Sequence, residues 1–578
     1  MKLEYLEEII KLKKIILYIQ NPMTTNYTIQ IDWFIDKNNV ICGYGNTYAS
    51  LFFSQSEIIY ALFLIGLIVL VLFFNNIGFK KYETKIAINL IIAVYLAFMH
   101  LIVFYMNINT ILTFYLNSQI ESITLFNGQV KISMLSFLFK SLISFSAFVY
   151  SLIIFDHVKY YKTHSDYQLL IIIPFTCLGG FFLVQANDLI NAFLSMEIIA
   201  ISLYCFIVSK EKGKLTTESG IKYYIIGSSA TAIMLWGLSI IYLHTGSINF
   251  EEIKVFLTIS RNHLSSDTQW FIFGIFLIFL SILIKIGIVP FHLWVPEVYG
   301  GASLMIMMFI SLIPKIAYFG FLVNIMYYVL LSVRNLTCPI FLTLGLLTMF
   351  IGIIGAYNQD KIRKFLAYSM LSNTGLFISV LAIQSTSSLR AFIFSIIIYL
   401  VLMVNLFSSF LVLRDDITGR PAETFDELRK LHDVSPILAL NITATLLSLS
   451  GLPIFAGFFM KIELLQVFIT NAQLTGDDIW FLGPTKKYFP IILILIICMT
   501  LLSSFYYLRI IKFMLFERDI GCITILFREI GWPMTLILSF TFIINITLIF
   551  YSSILWNIVN SSIFPLDFTL YDAINKGR

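Results

Sequence analysis

The chain has 578 residues, 59% hydrophobic and 12% charged, with a mean hydropathy of +0.89, whereas soluble proteins carry charge on about a quarter of their residues. This is the composition of a polytopic membrane protein. The net charge of +5 is small and spread among loops, which argues for membrane topology and against nucleic acid as a partner.

Six cysteines (Cys42, Cys177, Cys205, Cys338, Cys498 and Cys522) are scattered without a CxxC pair, which argues against an iron–sulfur cluster or zinc knuckle held by this chain. Seven histidines show no HxxxH or HExxH spacing, and no GxGxxG or Walker sequence occurs. Neither metal, haem nor nucleotide therefore has a site by motif. No cofactor is expected in this chain.

Residues 1–56 form an N-terminal extension. Met1 to Gln20 has helical apolar spacing with mixed charges and suits a membrane surface or a partner protein. It lacks the cleavage site of a secretory signal, and its glutamates argue against a transit peptide. An all-α architecture of about fourteen transmembrane helices follows, at about twenty residues per crossing. The spans run 57–74, 86–106, 131–155, 168–185, 189–209, 221–244, 270–291, 303–332, 339–357, 366–384, 389–413, 434–469, 490–516 and 532–557. The twelfth is too long for one plain crossing, and LSGLPIFAGFFMK at its centre implies two half-helices.

Lysine and arginine crowd the loops after spans one, three, five, nine, eleven and thirteen, for example Lys80, Lys81, Lys210, Lys212, Arg420, Lys430, Arg518 and Arg528. By the positive-inside rule these loops face the negative compartment. The domain expectation is three leading helices (57–167), a five-helix half-channel unit (168–332), a second such unit (333–516), and a last helix with a short tail (517–578). The fourth helix of each unit carries a lysine near a proline: Lys285 precedes Pro290, and Pro453 precedes Lys461. That mirrored order is what inverted-topology repeats leave in a sequence.

The chemistry lies in the intramembrane charges. Lys285 sits inside the apolar stretch Trp270 to Glu297, where a cation costs at least about 2.5–3.5 kcal/mol. Gly287 and Pro290 behind it weaken the helix, and Gly451, Pro453 and Gly457 mark a second break before Lys461. Glu197, mid-span in NAFLSMEIIAISLYCF, is the natural partner of Lys285. Lys315 follows Pro314 too deep to snorkel, whereas Lys222 lies near a span end, where snorkelling is an alternative to function. Glu463 points to another helix face than Lys461. Taken by span, Glu197, Lys222, Lys285, Lys315 and Lys461 make a titratable file along the midplane, which is a pump in outline.

The motifs FLSMEIIAISLY, SGIKYYIIGSSATA, LIKIGIVPFHLWVPEVYGGA, LIPKIAYFGF, KIRKFLAYSMLSNTG and LSGLPIFAGFFMKIELL carry a family resemblance in unbroken order. The chain resembles the antiporter-like membrane subunits of respiratory complex I, most closely the NADH dehydrogenase subunit 2 family (NADH–ubiquinone oxidoreductase chain 2). The resemblance implies that Glu197 and Lys285 are a coupled pair, Lys222 and Lys315 connecting lysines, and Lys461 the terminal lysine of the second half-channel. It also implies proton pumping driven by quinone reduction by NADH, with flavin and iron–sulfur centres in partner subunits of the membrane and peripheral arms. Lysine at 461 favours subunit 2 over its paralogue subunit 4, and the short tail favours it over subunit 5, which carries a lateral helix. Two positions depart from the pattern. Asn373 stands where many relatives have histidine, and Ser303 and Leu304 replace a proline-containing segment.

Composition rich in Phe (55) and Tyr (30) suits an AT-rich organellar genome, so the expected place is the mitochondrial inner membrane, with a bacterial inner membrane as the alternative. The competing functions are a subunit of a multi-subunit cation/proton antiporter and a purely structural membrane scaffold.

Overall fold

The computed structural model describes residues 55–77, 82–116, 122–161, 170–209, 214–260, 266–415, 421–429, 431–473, 489–516, 525–526 and 531–576. The expected helix Met1–Gln20 and the loop residues Lys80, Lys81, Lys210, Lys212, Arg420, Lys430, Arg518 and Arg528 lie outside them. Everything from Ser54 onward belongs to one compact unit.

Helices α1 (Gln55–Ile77) and α2 (Tyr82–Leu116) precede a hairpin, β1 (Ser122–Leu125) and β2 (Val130–Ser133), which pair antiparallel. The third span therefore starts at Met134, a little later than its apolar run, as α3 (Met134–Tyr161). The first five-helix unit comprises α4 (Ile172–Val184), α5 (Leu189–Ser209), α6 (Lys214–Thr245), a short surface helix α7 (Phe250–Ser260), the broken pair α8 (Ser266–Ile286) and α9 (Trp294–Gly301), and α10 (Leu304–Asn324). The second comprises α11 (Arg334–Tyr357), α12 (Ile362–Leu381), α13 (Thr386–Val412), a short α14 (Leu431–Val434), the broken pair α15 (Pro436–Ser450) and α16 (Ala456–Gln473), and α17 (Phe489–Leu515). Strands β3 (Arg414–Asp415) and β4 (Ile525–Leu526) pair beside it, and α18 (Trp532–Lys576) closes the chain.

Each of the fourteen apolar spans thus meets one helix or one broken pair. Ten described helices are by themselves long and apolar enough to cross a membrane. The other four crossings fall short for identifiable reasons. α4 has 13 residues, about 20 Å at 1.5 Å per residue. α12 spends its interior face on Ser369, Ser372, Asn373, Thr374 and Ser379, all buried. The α15–α16 crossing is broken, and α18 bends by 92° between Leu548 and Phe550. Helix continues past that bend to Lys576.

Each unit crosses five times, so the second begins on the face where the first ended and is inverted relative to it. The ends of α4 and α10 meet on one face, where Asn324 Nδ2 donates to the Ala186 carbonyl at 3.1 Å. On the opposite face Arg363 donates to the Ala302 carbonyl at 3.0 Å and to Glu423 at 2.9 Å. α10 is buried along its whole length and α13 nearly so, while apolar side chains of α1, α6 and α17 such as Leu62, Tyr224 and Phe505 point outward. The core is therefore an axis of α3, α10 and α13 with the remaining helices around it.

Both breaks close in the same way. Gly287, at φ +85°, donates to the Ile284 carbonyl at 3.1 Å while Ile288 donates to Leu283 at 3.0 Å. Gly451, at φ +89°, donates to Ser448 at 3.0 Å while Leu452 donates to Leu447 at 3.2 Å. Each is a Schellman cap, which needs the left-handed conformation that glycine adopts freely. A Cβ on Gly287 would stand 2.3 Å from Val295 Cγ2, and one on Gly457 would stand 1.9 Å from the Ser448 carbonyl. These glycines let each second half-helix close onto the first.

Gly287→Ala combines a left-handed penalty of about 1–2 kcal/mol with overpacking of about 1–3 kcal/mol. Gly246→Ala, also at positive φ but with nothing within 4 Å of its Cβ, carries the first cost alone. We expect Gly287→Ala to lower the thermal stability of the assembled protein clearly more than Gly246→Ala. Equal melting temperatures for the two variants would show that the closure of α9 onto α8 is not tight.

Candidate functional site

Lys285 occupies the last turn of α8 and is buried, with no hydrogen-bond partner for its Nζ among the described residues. The backbone freed by the break behind it is satisfied by protein. Trp294 Nε1 donates to the Ile284 carbonyl at 3.0 Å, and the Val289 amide donates to Thr348 Oγ1 at 3.2 Å. Gly287 and Pro290 therefore shape a turn whose outer residues, Pro290, Phe291 and Leu293, are exposed.

Glu197, half-buried on α5, does not touch Lys285, so the direct ion pair read from the sequence is absent. It lies near enough to act electrostatically on Lys285, and on Tyr204 of α5 and Tyr318 of α10. The Tyr318 hydroxyl is buried and unpartnered among the described residues. Glu197 thus interacts at a distance with an amine on α8 and phenols on α5 and α10.

Lys222 is placed differently. Its side chain is 40% exposed and sits between two carboxylates, Glu218 at 2.7 Å and Glu297 at 2.8 Å. This is the snorkelled arrangement that its position near a span end allows. Glu297, on α9, is a member of the site that sequence reasoning missed, although it closes the stretch WVPE. Tyr223, beside Lys222, packs on Trp294 with ring centroids 5.3 Å apart, which ties this clamp to the first break.

Lys315 is buried on α10. It lines a cavity of about 20 Å³, room for about one water, together with Ser311 of the same helix, Phe377 of α12 and Tyr399 of α13. The cavity is shared by both five-helix units. Tyr399 has a buried hydroxyl without a partner among the described residues, so polar positions continue from Lys315 into the second unit. Asn373 donates to the Ser369 carbonyl at 3.1 Å. Its neighbour Ser372 shares a hydrogen bond of 3.0 Å with Tyr506, whose ring lies 4.4 Å from that of Tyr507. At this point tyrosine and serine hydroxyls surround an asparagine that cannot titrate.

Lys461 is buried on α16 and reaches back across the second break. Its Nζ donates to the Ser450 carbonyl, the last residue of α15, at 2.8 Å, and to Ser503 Oγ of α17 at 3.4 Å. The ammonium thereby sits at the negative end of a half-helix dipole. Gly451 leaves the space its chain needs, since a Cβ there would stand 2.8 Å from Lys461 Cδ. Ser448 Oγ accepts from the Gly457 amide at 2.9 Å and bonds Asn545 Oδ1 of α18 at 2.8 Å, which pins the two half-helices together. Pro453 lies in the exposed turn, and half-buried Glu463 takes no part in the contacts of Lys461. Ser303, which replaces an expected proline-bearing segment, is the extended N-cap of α10.

The arrangement is a run of buried amines, separated by hydroxyls and one water-sized space, through both inverted units. Such groups hold and pass protons. No group of three or more metal-ligating side chains occurs among the described residues.

The family model described as NADH:quinone oxidoreductase/Mrp antiporter, TM, matches residues 186–481, a segment that takes in Glu197, Lys222, Lys285, Lys315 and Lys461. The NADH-quinone oxidoreductase subunit N of Pelagibacter ubique is 30% identical over 401 residues, covering 69% of this chain and 79% of that protein. The NADH-ubiquinone oxidoreductase chain 2 of Marchantia polymorpha is 29% identical over 364 residues, covering 63% and 70%. Among solved structures, a chain of respiratory complex I from Thermus thermophilus with bound aureothin superposes with a TM-score of 0.65 at 18% identity, covering 87% of this chain and 98% of that one. That last likeness speaks to the fold, and the sequence matches speak to descent. On both, the chain belongs to the NADH:quinone oxidoreductase/Mrp antiporter transmembrane family.

Proposed function

We infer that this chain is a proton-translocating, antiporter-like subunit in the membrane arm of respiratory complex I, the NADH:quinone reductase. The observation that carries the reading is the series of buried ammoniums, Lys285, Lys315 and Lys461, placed on helices of both inverted units. Its energy comes from quinone reduction in other subunits, which hold the flavin and iron–sulfur centres. Its partners are the other membrane-arm and peripheral-arm subunits and the surrounding lipid, and nucleic acid has no part. The chain resides in the mitochondrial inner membrane, or in the inner membrane of a bacterium. Purification of the intact assembly with flavin and iron–sulfur subunits tests the reading, whereas sodium-dependent transport by an assembly without them favours a cation/proton antiporter.

Within this reading Glu197 sets the charge balance around Lys285, and the proton released there moves through Lys315 and its cavity toward Lys461. Lys222, clamped between Glu218 and Glu297, is the branch nearest the surface. Lys461 ends the file, held by a carbonyl and a hydroxyl that accept hydrogen bonds without carrying charge.

Two mutational outcomes follow. Lys461→Ala removes the only deep cation of α16, so the complex should assemble while proton pumping and quinone-coupled turnover fall. Lys461→Arg should rescue poorly, because a guanidinium stays protonated. A normal number of protons per NADH in the assembled Lys461→Ala complex would overturn the proton-translocation reading.

For Glu197 and Lys285, either Glu197→Gln or Lys285→Met should abolish most of the pumping, and the double change should do no better. If the two groups only balance each other's charge for the fold, the single changes should lower assembly and the double change should restore both assembly and pumping. A double-mutant cycle scored separately for assembly and pumping distinguishes them. Recovery of near wild-type pumping in the double variant would sink the mechanism.

A further inference from the structure

A second buried charge cluster lies in the first four helices, away from the lysine file. Glu57 on the first turn of α1 and Lys140 on α3 form an ion pair, with side chains 7% and 0% exposed. The Lys140 ammonium also donates to Gln185 Oε1 at the end of α4, at 2.5 Å, and Ser56 Oγ donates to the second carboxylate oxygen of Glu57 at 3.0 Å. One turn farther along α1, the Tyr60 hydroxyl is hydrogen-bonded to His100 Nδ1 of α2 at 3.2 Å. Tyr60 and His100 are fully buried. His100 Nε2 and both polar side-chain atoms of Asn107, two turns away on the same face of α2, have no partner among the described residues.

We propose that Glu57, Lys140 and Gln185, with Tyr60 and His100 one turn farther along, form a second proton-exchange site, through which protons pass from the face bearing the β1–β2 hairpin into the interior of the N-terminal helices, which pack against the helix that carries Lys315. The inference rests on the proton-translocation reading above.

Position supports it first. The neighbours of the cluster on α3 and α4, Phe139 and Val184, both press on Gly320 of α10, where a Cβ would meet them at 3.1 and 3.0 Å. Gly320 lies five residues from Lys315, about 7.5 Å of helix rise. The cluster is therefore packed against the helix of the central cavity. Its ingredients point the same way. A buried ion pair can be replaced by apolar side chains of like volume without loss of stability, and a clasp between α1 and α3 has no need of the neutral groups beyond it. Here the pair continues into a phenol, an imidazole with one nitrogen unpartnered, and an unpartnered amide. Unpaired buried polar groups of this kind call for bridging water.

The exchange balances without any other reagent. The Lys140 ammonium gives its proton to the Glu57 carboxylate, which leaves an amine and a carboxylic acid with the same net charge of zero. The amine then takes a proton from water on the hairpin side, the acid releases one through the Tyr60 hydroxyl to His100, and His100 returns to neutral by giving a proton from Nε2 to water.

Lys140→Arg separates this proposal from a clasp. Arginine keeps the ion pair but does not release its proton. In membrane vesicles holding the full complex, we expect wild-type abundance of the Lys140→Arg assembly with lowered proton pumping per assembled complex. Unchanged pumping overturns the proposal. If the larger guanidinium prevents assembly, His100→Phe, which keeps the ring against Tyr60 without a titratable nitrogen, decides on the same readout: lowered pumping supports the site, and unchanged pumping overturns it. Lys461→Ala measured in parallel keeps the two inferences apart. Loss there with normal pumping in Lys140→Arg and His100→Phe defeats only this proposal, whereas normal pumping in Lys461→Ala defeats the proton-translocation reading itself.

Discussion

Hydrocarbon offers no hydrogen bonds, so a helix broken inside a membrane must satisfy its freed groups with protein or with enclosed water. That constraint organises the molecule. At Gly287 and Gly451 the same left-handed cap turns the loose carbonyls inward, and a side chain completes the job: Trp294 at the first break, Lys461 at the second. Lys285 and Lys461 lie on opposite sides of their breaks in sequence, Lys285 before and Lys461 after. Yet Lys461 folds back to the end of α15, so both amines belong to the last turn of a first half-helix. Helix C-termini carry partial negative charge that favours a cation there. The mirrored order in the sequence thus places a lysine at each break, with its ammonium bonded to the carbonyl end only at the second.

An odd number of crossings per unit explains why the two solutions point in opposite directions across the membrane. It also explains why α10 is buried on every side. As the last helix of the first unit it is walled by α12 and α13 of the second and by α3, so Lys315 opens on a space that neither unit owns. Apart from Lys315 itself, the polar residues lining it are neutral: Ser311 and Tyr399. Neutral hydroxyls and amides are affordable in a core provided they are paired or wetted.

Much of this was legible in the chain. Apolar runs located each crossing, because lipid-facing positions demand them, and a glycine–proline pair inside an apolar run located each break. Lysines inside apolar runs announced the file. What was not legible depended on tertiary distance. Glu197 and Lys285 belong together by unit, yet they make no direct ion pair and interact only at a distance. Lys222 found its acids on its own helix at Glu218 and on α9 at Glu297, a pairing that requires knowing that α9 returns to α6. Lys140 gave a signal as plain as that of Lys285, standing well inside the span 131–155. Its meaning appears only with Glu57, 83 positions away, at the very start of an apolar run. The bend of α18 leaves no mark of proline or glycine at Tyr551 and has no counterpart in the hydropathy pattern.

The partners of the four lysines form a series with a physical consequence. Lys222 is held by two carboxylates, Lys285 by the field of one at a distance, and Lys461 by a carbonyl and a hydroxyl, whereas Lys315 lines a largely apolar cavity with Ser311 and Tyr399 as its other polar residues. Discharging Lys222 would leave two anions facing each other, a like-charge contact that the site resists even though it is partly solvated. Discharging Lys461 strands no anion, because its acceptors are dipoles whose hydrogen-bonding needs a neutral amine still meets. In the proton-translocating reading proposed above, the proton would be anchored near the surface at one end of the file and free to leave at the other. Directional transfer needs such an asymmetry, and on that reading it would come from which residues stand next to each lysine, not from the lysines themselves.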